Sequence, residues 1–80
     1  MNIHEFKIIR NRQRPDFCYQ YLRKRNDKKY SISTFDGGKT FHASIEQLRL
    51  DKRWYSELSV MRNSIEECLN EFKELEKEVQ

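Results

Sequence analysis

The sequence predicts an α+β fold, in which a three- to four-stranded antiparallel sheet is followed by a short helix and a long C-terminal amphipathic helix. Three patterns support this prediction. Apolar and polar residues alternate in the first half, Asp-Gly-Gly-Lys occupies positions 36–39, and large apolar residues recur at spacings of four and three over residues 54–79. Alternation is typical of strands, and a Gly pair is typical of a hairpin turn. The 4-3 spacing is typical of a helix. We expect one domain over residues 1–80, with a basic sheet half (1–43) and a helical half (44–80).

The predicted strands follow one another through the sheet half. They cover residues 3–9, 17–24, 30–35 and 40–43. The second is the most aromatic, because Phe17, Tyr19 and Tyr21 fall at alternating positions, which favours a strand. Between the third and the fourth, Gly37 and Gly38 supply the positive φ angles that a hairpin turn requires.

Two helices are predicted in the second half. Ser44-Ile45-Glu46-Gln47 fits a capping box, which indicates a short helix over residues 45–50, and a bend near residues 50–53 separates it from the long helix. Ser64-Ile65-Glu66-Glu67 matches a second capping box and marks a second possible break, at Asn63-Ser64, after which a helix would start again. Because the apolar spacing continues through this segment without a change of phase, we predict a continuous helix from Trp54 to the C-terminal end of the chain.

The long helix carries one apolar seam, which suggests a dimer. Its positions are Trp54, Leu58, Met61, Ile65, Cys68, Phe72, Leu75 and Val79, widened by Tyr55 and Leu69. A helix of this length extends about 39 Å, which is more surface than so small a chain covers by itself. We predict a homodimer whose interface comprises Trp54, Leu58, Met61, Ile65, Leu69, Phe72 and Leu75. The alternative is a monomer whose helix lies across its own sheet. A parallel pair is disfavoured, because Glu71 would face Glu76.

Composition excludes several classes of protein. Hydrophobic residues make up 36% of the chain and charged residues another 36%, so we expect a thin core and no membrane span. No signal peptide is recognisable, and the two cysteines, Cys18 and Cys68, lack zinc-ligand spacing, which points to a cytoplasmic protein. No catalytic motif, metal ligand set or cofactor site is present in the sequence. His42 beside the hairpin is more typical of an ordinary strand residue than of an acid–base catalyst.

The distribution of charge is the strongest functional signal. Residues 1–30 carry nine Lys/Arg against three Asp/Glu, whereas residues 54–80 carry three against seven. Lys and Arg bind phosphates, and aromatic rings stack on bases. The predicted nucleic-acid-binding residues are Arg12, Arg14, Tyr19, Tyr21, Arg23, Lys24, Arg25, Lys28 and Lys29. Alternatively, Phe17, Tyr19 and Tyr21 form the core face of their strand. The opposite face, with Gln20 and Lys24, and the basic loops then contact phosphate.

These features favour a small non-catalytic regulatory protein that binds nucleic acid, with RNA ahead of DNA, of the kind carried by phages and mobile elements. The alternative is a protein-binding inhibitor of a host enzyme or defence complex, acting through the long helix and the basic sheet. A small ribonuclease that uses His42 is the third hypothesis. The order of elements over residues 17–62 resembles that of the three-stranded arm-binding domains of phage integrases. The resemblance is one of element order only, and it assigns no residue a role.

Overall fold

Five strands and one helix make up the computed structural model of the chain, which describes residues 1–78 and the side chains of residues 1–76. The elements are β1 Lys7–Arg10, β2 Tyr19–Arg25, β3 Lys28–Thr34, β4 Phe41–Leu48, β5 Trp54–Arg62 and α1 Ile65–Glu78, preceded by a 3-10 turn over Ile3–Glu5. The α+β class predicted from the sequence is confirmed. The predicted three to four strands and the short helix are wrong, because the sheet has five strands and α1 is the one α-helix of the described residues.

The strands form an antiparallel meander in the order β1-β2-β3-β4-β5. Alternation along each strand sends one set of side chains toward α1 and the other to the opposite face. The α1 side carries Tyr19, Tyr21, Tyr30, Ile32, Thr34, Phe41, Ala43, Ile45, Leu58 and Val60, and these residues form the core or pack against it. No helix within residues 1–78 lies on the opposite face, and we call it the open face.

The segment predicted to be a short helix belongs to β4. Phe41, Ala43 and Ile45 are buried while the residues between them are only half-buried, so the burial pattern has a period of two. Ser44, which was expected to cap a helix, instead lies opposite Ser31 on the neighbouring strand. The capping-box pattern was a local match, and pairing on both sides of β4 outweighs it.

The first nine residues of the predicted long helix form the edge strand β5. The four-residue step from Trp54 to Leu58 would place both residues on one face of a regular strand, but here they lie on opposite faces. In the structure Leu58 and Val60 face α1, whereas Met61 lies on the open face opposite His42. A shift in register between Ile45 and Glu46 leaves Glu57 as an extra residue on β5, which is a β-bulge.

The helix begins where the second capping box predicted an alternative start. The backbone N–H of Glu67 donates to Ser64 Oγ at 3.2 Å, and the Glu67 carboxylate accepts from the N–H of Asn63 at 2.9 Å. Both contacts satisfy backbone donors that have no partner at a helix N-terminus. Val79, the last residue of the predicted seam, lies outside the described residues.

The apolar side of α1 packs on the sheet of its own chain. Phe72 is completely buried, stacks on Phe6 at 6.4 Å between centroids and meets Tyr30 edge-on at 5.5 Å. The Tyr30 hydroxyl donates to Glu76 Oε1 at 2.7 Å, and burial, followed by this hydrogen bond, raises the pKa of Tyr30 to about 12. Arg62 donates two hydrogen bonds to Glu71, at 2.9 and 2.7 Å, and so ties β5 to the helix. Across residues 1–78, no helix combines the length and hydrophobicity needed to cross a membrane.

The β3–β4 turn is organised around one carboxylate. Gly37 and Gly38 have φ angles of 76° and 94°, which confirms the positive φ predicted there. Asp36 Oδ1 accepts the backbone N–H groups of Lys39 and Thr40 at 3.0 Å each, and Oδ2 accepts the Thr40 hydroxyl at 2.6 Å. The Thr40 hydrogen bonds, assisted by one from Thr34, hold the pKa of the Asp36 carboxyl well below its usual value of 3.8.

We expect Asp36 to contribute to acid sensitivity. A carboxyl with a lowered pKa in the folded state stabilises the protein fully above its unfolded pKa, and this stabilisation is lost as the pH falls below that value toward the folded pKa. Asp36→Asn should therefore lower the melting temperature at neutral pH and flatten its decline between pH values of about 5 and 2. Circular dichroism melts across this range measure both effects. Asp16→Asn, in an exposed loop, is the matched control and should leave the profile unchanged.

Candidate nucleic-acid interface

The open face is a polar strip bounded by large apolar side chains. Strand pairing and alternation place on it Lys7, Ile9, Gln20, Leu22, Lys24, Lys29, Ser31, Ser33, His42, Ser44, Glu46, Ser56, Ser59 and Met61. Phe35, just after β3, and the terminal pair of β4 and β5, Leu48 and Trp54, extend this face at its two ends. It is therefore a continuous surface that crosses all five strands.

Hydroxyl groups dominate the middle of the open face. Ser31 Oγ lies 2.5 Å from Ser44 Oγ, and His42 Nε2 lies 2.7 Å from Ser59 Oγ. Both contacts join neighbouring strands, so they hold these groups in fixed positions at the surface. The middle of the face thus offers ordered donors and acceptors rather than an apolar patch.

One end of the open face is formed around Phe35. This side chain is 76% exposed and stands between two shallow depressions of about 300 and 380 Å³. Ile9 and Gln20 line the first depression, His42 and Met61 line the second, and Ser33 lines both. An exposed ring with a depression on each side is suited to stacking against flat ligands.

Trp54 forms the other end of the open face. Its indole is 38% exposed, and the Lys29 ammonium lies 4.9 Å from the ring centroid. This cation–π contact covers one side of the ring and fixes its orientation. A positively charged group and an aromatic surface are therefore presented side by side.

Two basic turns meet beyond Trp54, and we call this region the basic end. The β2–β3 turn and the β4–β5 turn are joined by a hydrogen bond from the N–H of Leu48 to the carbonyl of Asp27 at 2.7 Å. Together they carry Lys24, Arg25, Lys28, Lys29, Arg49, Lys52 and Arg53. In the part of the chain whose side chains are described, the one ion pair at this end joins Lys28 to Glu57 at 3.6 Å. The other cations are therefore available to an anionic ligand.

The structure separates the predicted nucleic-acid-binding residues into three groups. Lys24, Arg25, Lys28 and Lys29 lie together at the basic end. Arg12 and Arg14 lie in the β1–β2 loop, about 20 Å away along β2, and Arg14 stacks over Phe17 at 5.3 Å. Tyr19, Tyr21 and Arg23 lie on the α1 side, where the tyrosines pack against the core and Arg23 pairs with Glu5 at 2.7 Å. Tyr19 and Tyr21 thus lie on the core face, as the alternative interpretation had it, whereas Phe17, the third residue of that interpretation, lies in the β1–β2 loop and is 51% exposed.

The predicted dimer interface is also divided. Ile65, Leu69, Phe72 and Leu75 lie on α1 and pack on or within the core of the same chain. Leu58 is on the α1 side of β5, while Trp54 and Met61 are on the open face. No single surface contains all seven residues, because the first nine residues of the predicted helix form strand β5 instead.

Sequence reasoning missed several residues of the open face. Ser33 and Phe35 were assigned to strands but not to a site, and His42 was considered only as a catalytic residue. Arg49 was placed in the short helix, and Lys52 and Arg53 in the bend after it, without a role. Trp54 was assigned to a helical seam. Alternation over Phe41–Leu48 was the available signal, because it places β4 in the sheet and brings the β4–β5 turn beside the β2–β3 turn.

No group of His, Cys, Asp or Glu side chains within residues 1–76 is arranged to hold a metal ion. Cys68 lies on the buried side of α1, and burial raises its thiol pKa to about 11. A raised pKa disfavours the reactive thiolate. Compared with known proteins, the chain matches no family model, no curated protein and no solved structure. A functional assignment must therefore start from the chemistry of the open face and the basic end.

Proposed function

We propose that this protein binds single-stranded nucleic acid, RNA ahead of DNA, across the open face, and that it acts in regulation without catalysing a reaction. The observation that supports this most directly is the pairing of Trp54 with Lys29 beside the unpaired cations of the basic end. Proteins that bind single strands combine cations that follow the phosphate backbone with aromatic rings that stack on bases. Both components lie here on one uncovered sheet face.

The spacing of the aromatic groups suits a ligand of several nucleotides. Met61, which adjoins the depression beside Phe35, lies seven positions after Trp54 on β5, and this corresponds to about 23 Å. A flexible single strand with splayed bases spans such a distance and stacks at both ends. A stacked duplex exposes no base faces along its length, so it has no use for Trp54 and Phe35.

The preference for RNA follows from the middle of the open face. Ser31, Ser44, Ser59 and His42 present hydroxyl and imidazole groups between the two aromatic ends. The ribose 2′-hydroxyl is both a donor and an acceptor, and it is the group by which proteins distinguish RNA from DNA. A strip rich in hydroxyl groups provides matching partners for it.

The structure offers less support for the other two hypotheses. The protein-inhibitor hypothesis relied on a free helical seam, and in this chain the apolar side of α1 lies against the sheet. The ribonuclease hypothesis relied on His42, whose Nε2 is hydrogen-bonded to Ser59. The homodimer stays a prediction, and analytical ultracentrifugation tests it directly.

Binding is measurable through Trp54, because it is the chain's one tryptophan. Titration with a single-stranded RNA of about ten nucleotides should quench its fluorescence, with weaker quenching by the matching DNA and least by a blunt duplex. With about three or four phosphates neutralised, the logarithm of the binding constant should fall with the logarithm of salt concentration with a slope of roughly −2 to −3. If neither single strand quenches Trp54 or binds at low salt, the proposal is wrong.

A further inference from the structure

Leu50 stands at the tip of the β4–β5 turn with its side chain fully exposed, at 102% of the reference area. The turn around it is closed by two backbone hydrogen bonds, from the Lys52 N–H to the Arg49 carbonyl at 2.9 Å and from the Arg49 N–H to the Arg53 carbonyl at 3.0 Å. Lys52 follows in a left-handed conformation with a φ of 67°, as in hairpins built on a type I turn with a bulge. Such a turn has no structural need for leucine at its corner.

Side-chain contacts within the hairpin hold this turn in place. Asp51 accepts hydrogen bonds from the backbone N–H of Arg53, at 3.0 Å, and from the Tyr55 hydroxyl. The Arg49 guanidinium stacks over the Tyr55 ring at 4.6 Å from its centroid. The contacts hold Arg49, Asp51 and Tyr55 in place while the Leu50 side chain stays fully exposed, so the turn is a supported projection rather than a loose loop.

The projection is continuous with the open face. Leu48 and Trp54 are directly paired at the base of the turn, so the turn that carries Leu50 continues the hairpin beyond this pair, at the same end of the sheet. Arg49, Lys52 and Arg53 flank it, and their nearest acid, Asp51, is engaged within the turn. Apolar side chains inserted between base pairs elsewhere are flanked by cations in the same way, because the cations bind the phosphates on both sides of the step.

We propose that Leu50 is a wedge that inserts between bases at a junction of single-stranded and double-stranded nucleic acid, while the single strand continues over the open face. This inference rests on the proposed function and specifies its partner as a structured RNA with an unpaired tail. The terminal base pair of a duplex is the easiest to separate, because it is stacked on one side only. A leucine beside it replaces part of the lost stacking while the arginines and Lys52 hold the backbone.

Apolar area and continuity favour nucleic acid over a lipid surface as the occupant. One leucine buries too little apolar area to anchor a protein in a membrane, which takes two signals. The neighbouring Trp54 and Lys29 already present a base-stacking surface in line with the turn.

The test uses the full chain and three ligands: a single-stranded RNA tail, an RNA hairpin that carries this tail, and the same hairpin without it. A fluorescent adenine analogue is placed in the base pair next to the tail, where unstacking increases its emission. Wild-type protein should bind the tailed hairpin roughly tenfold more tightly than the tail alone and should increase the analogue's emission. Leu50→Ala should lose both effects while Trp54 quenching by the tail is unchanged. Leu50→Met, which keeps an apolar wedge, should retain them.

The outcomes separate this inference from the function on which it rests. If the tail binds but the hairpin adds no affinity, or if Leu50→Ala keeps the full preference, the wedge is refuted and the open face stands. If the tail fails to quench Trp54 while the tailed hairpin binds through Leu50, single-strand binding across the open face is refuted and insertion of Leu50 at the junction is supported. Leu50-dependent sedimentation with vesicles of phosphatidylcholine and phosphatidylserine, without junction binding, would overturn the wedge in favour of a membrane contact.

Discussion

Replacing Phe72 by Ala is expected to lower the free energy of unfolding by about 3–5 kcal/mol. Phe72 is the central side chain between α1 and the sheet, with 0% exposure and ring contacts to Phe6 and Tyr30. Truncation leaves a cavity between Phe6 and Tyr30, and a closely packed core relaxes only partially to fill such a cavity. Since small domains are stable by only about 5–15 kcal/mol, the variant should be close to unfolding at room temperature. Urea denaturation followed by circular dichroism measures the change.

Phe35→Ala provides the matched control for this substitution. It removes the same atoms from a ring that is 76% exposed, and surface substitutions of this kind change stability by about 0.5 kcal/mol or less. The pair also tests the seam predicted from the sequence. If Phe72 were an intermolecular contact, Phe72→Ala would convert a dimer to a monomer and leave the monomer folded. Such a result would contradict the packing of α1 on its own sheet.

The sequence was sufficient for β2, β3 and the turn after them, whereas the first strand, predicted over residues 3–9, begins only at Lys7, because Ile3–Glu5 form a 3-10 turn. β2 and β3 are strands in which aromatic or β-branched residues alternate with polar ones, and Gly37 and Gly38 mark the turn after them. These signals are local, so they can be recognised without knowing which strands pair. The interpretation that placed Tyr19 and Tyr21 on the core face was available too, but composition could not decide between the two faces.

The second half was mispredicted where two periods fit the same residues. Trp54 and Leu58 are four apart, which suits both a strand and a helix, and the β-bulge at Glu57 shifts the alternation by one residue. Beyond it, Leu58 and Val60 follow the strand period, but helical spacing from Leu58 through Met61 to Ile65 is equally regular. The deciding factor was pairing with β4, which is a long-range contact that no local pattern encodes.

Prediction of the candidate site also required the correct assignment of β5. Lys24, Arg25, Lys28 and Lys29 were identified from charge alone, because a basic hairpin turn stays exposed in most folds. The pairing of β5 with β4 brings Trp54 close to these cations, and it also places the β4–β5 turn beside the β2–β3 turn. Charge therefore predicted half of the basic end, and topology determined its aromatic component.

Removing the stacking group should produce the largest effect on ligand binding. We expect Trp54→Ala to weaken binding of a single-stranded RNA by about 5- to 150-fold, which corresponds to about 1–3 kcal/mol for one stacked base. Lys29 covers one side of the indole at 4.9 Å, so a base stacks on the other side, and Trp54→Phe should retain part of the affinity. Fluorescence anisotropy of a labelled RNA measures the change, since the variants lack tryptophan.

Lys29→Ala extends this prediction, because the lysine both binds phosphate and orients the indole. Its loss should weaken binding and reduce the salt slope by about 0.7. Because the two side chains touch, the double variant with Trp54→Ala should lose less than the sum of the single losses. Lys73→Ala, an exposed lysine on α1, removes the same charge from the opposite side of the molecule and should change neither quantity. Strictly additive losses would show that Lys29 and Trp54 act independently, and equal effects of Lys29→Ala and Lys73→Ala would show that the RNA responds to net charge and not to the open face.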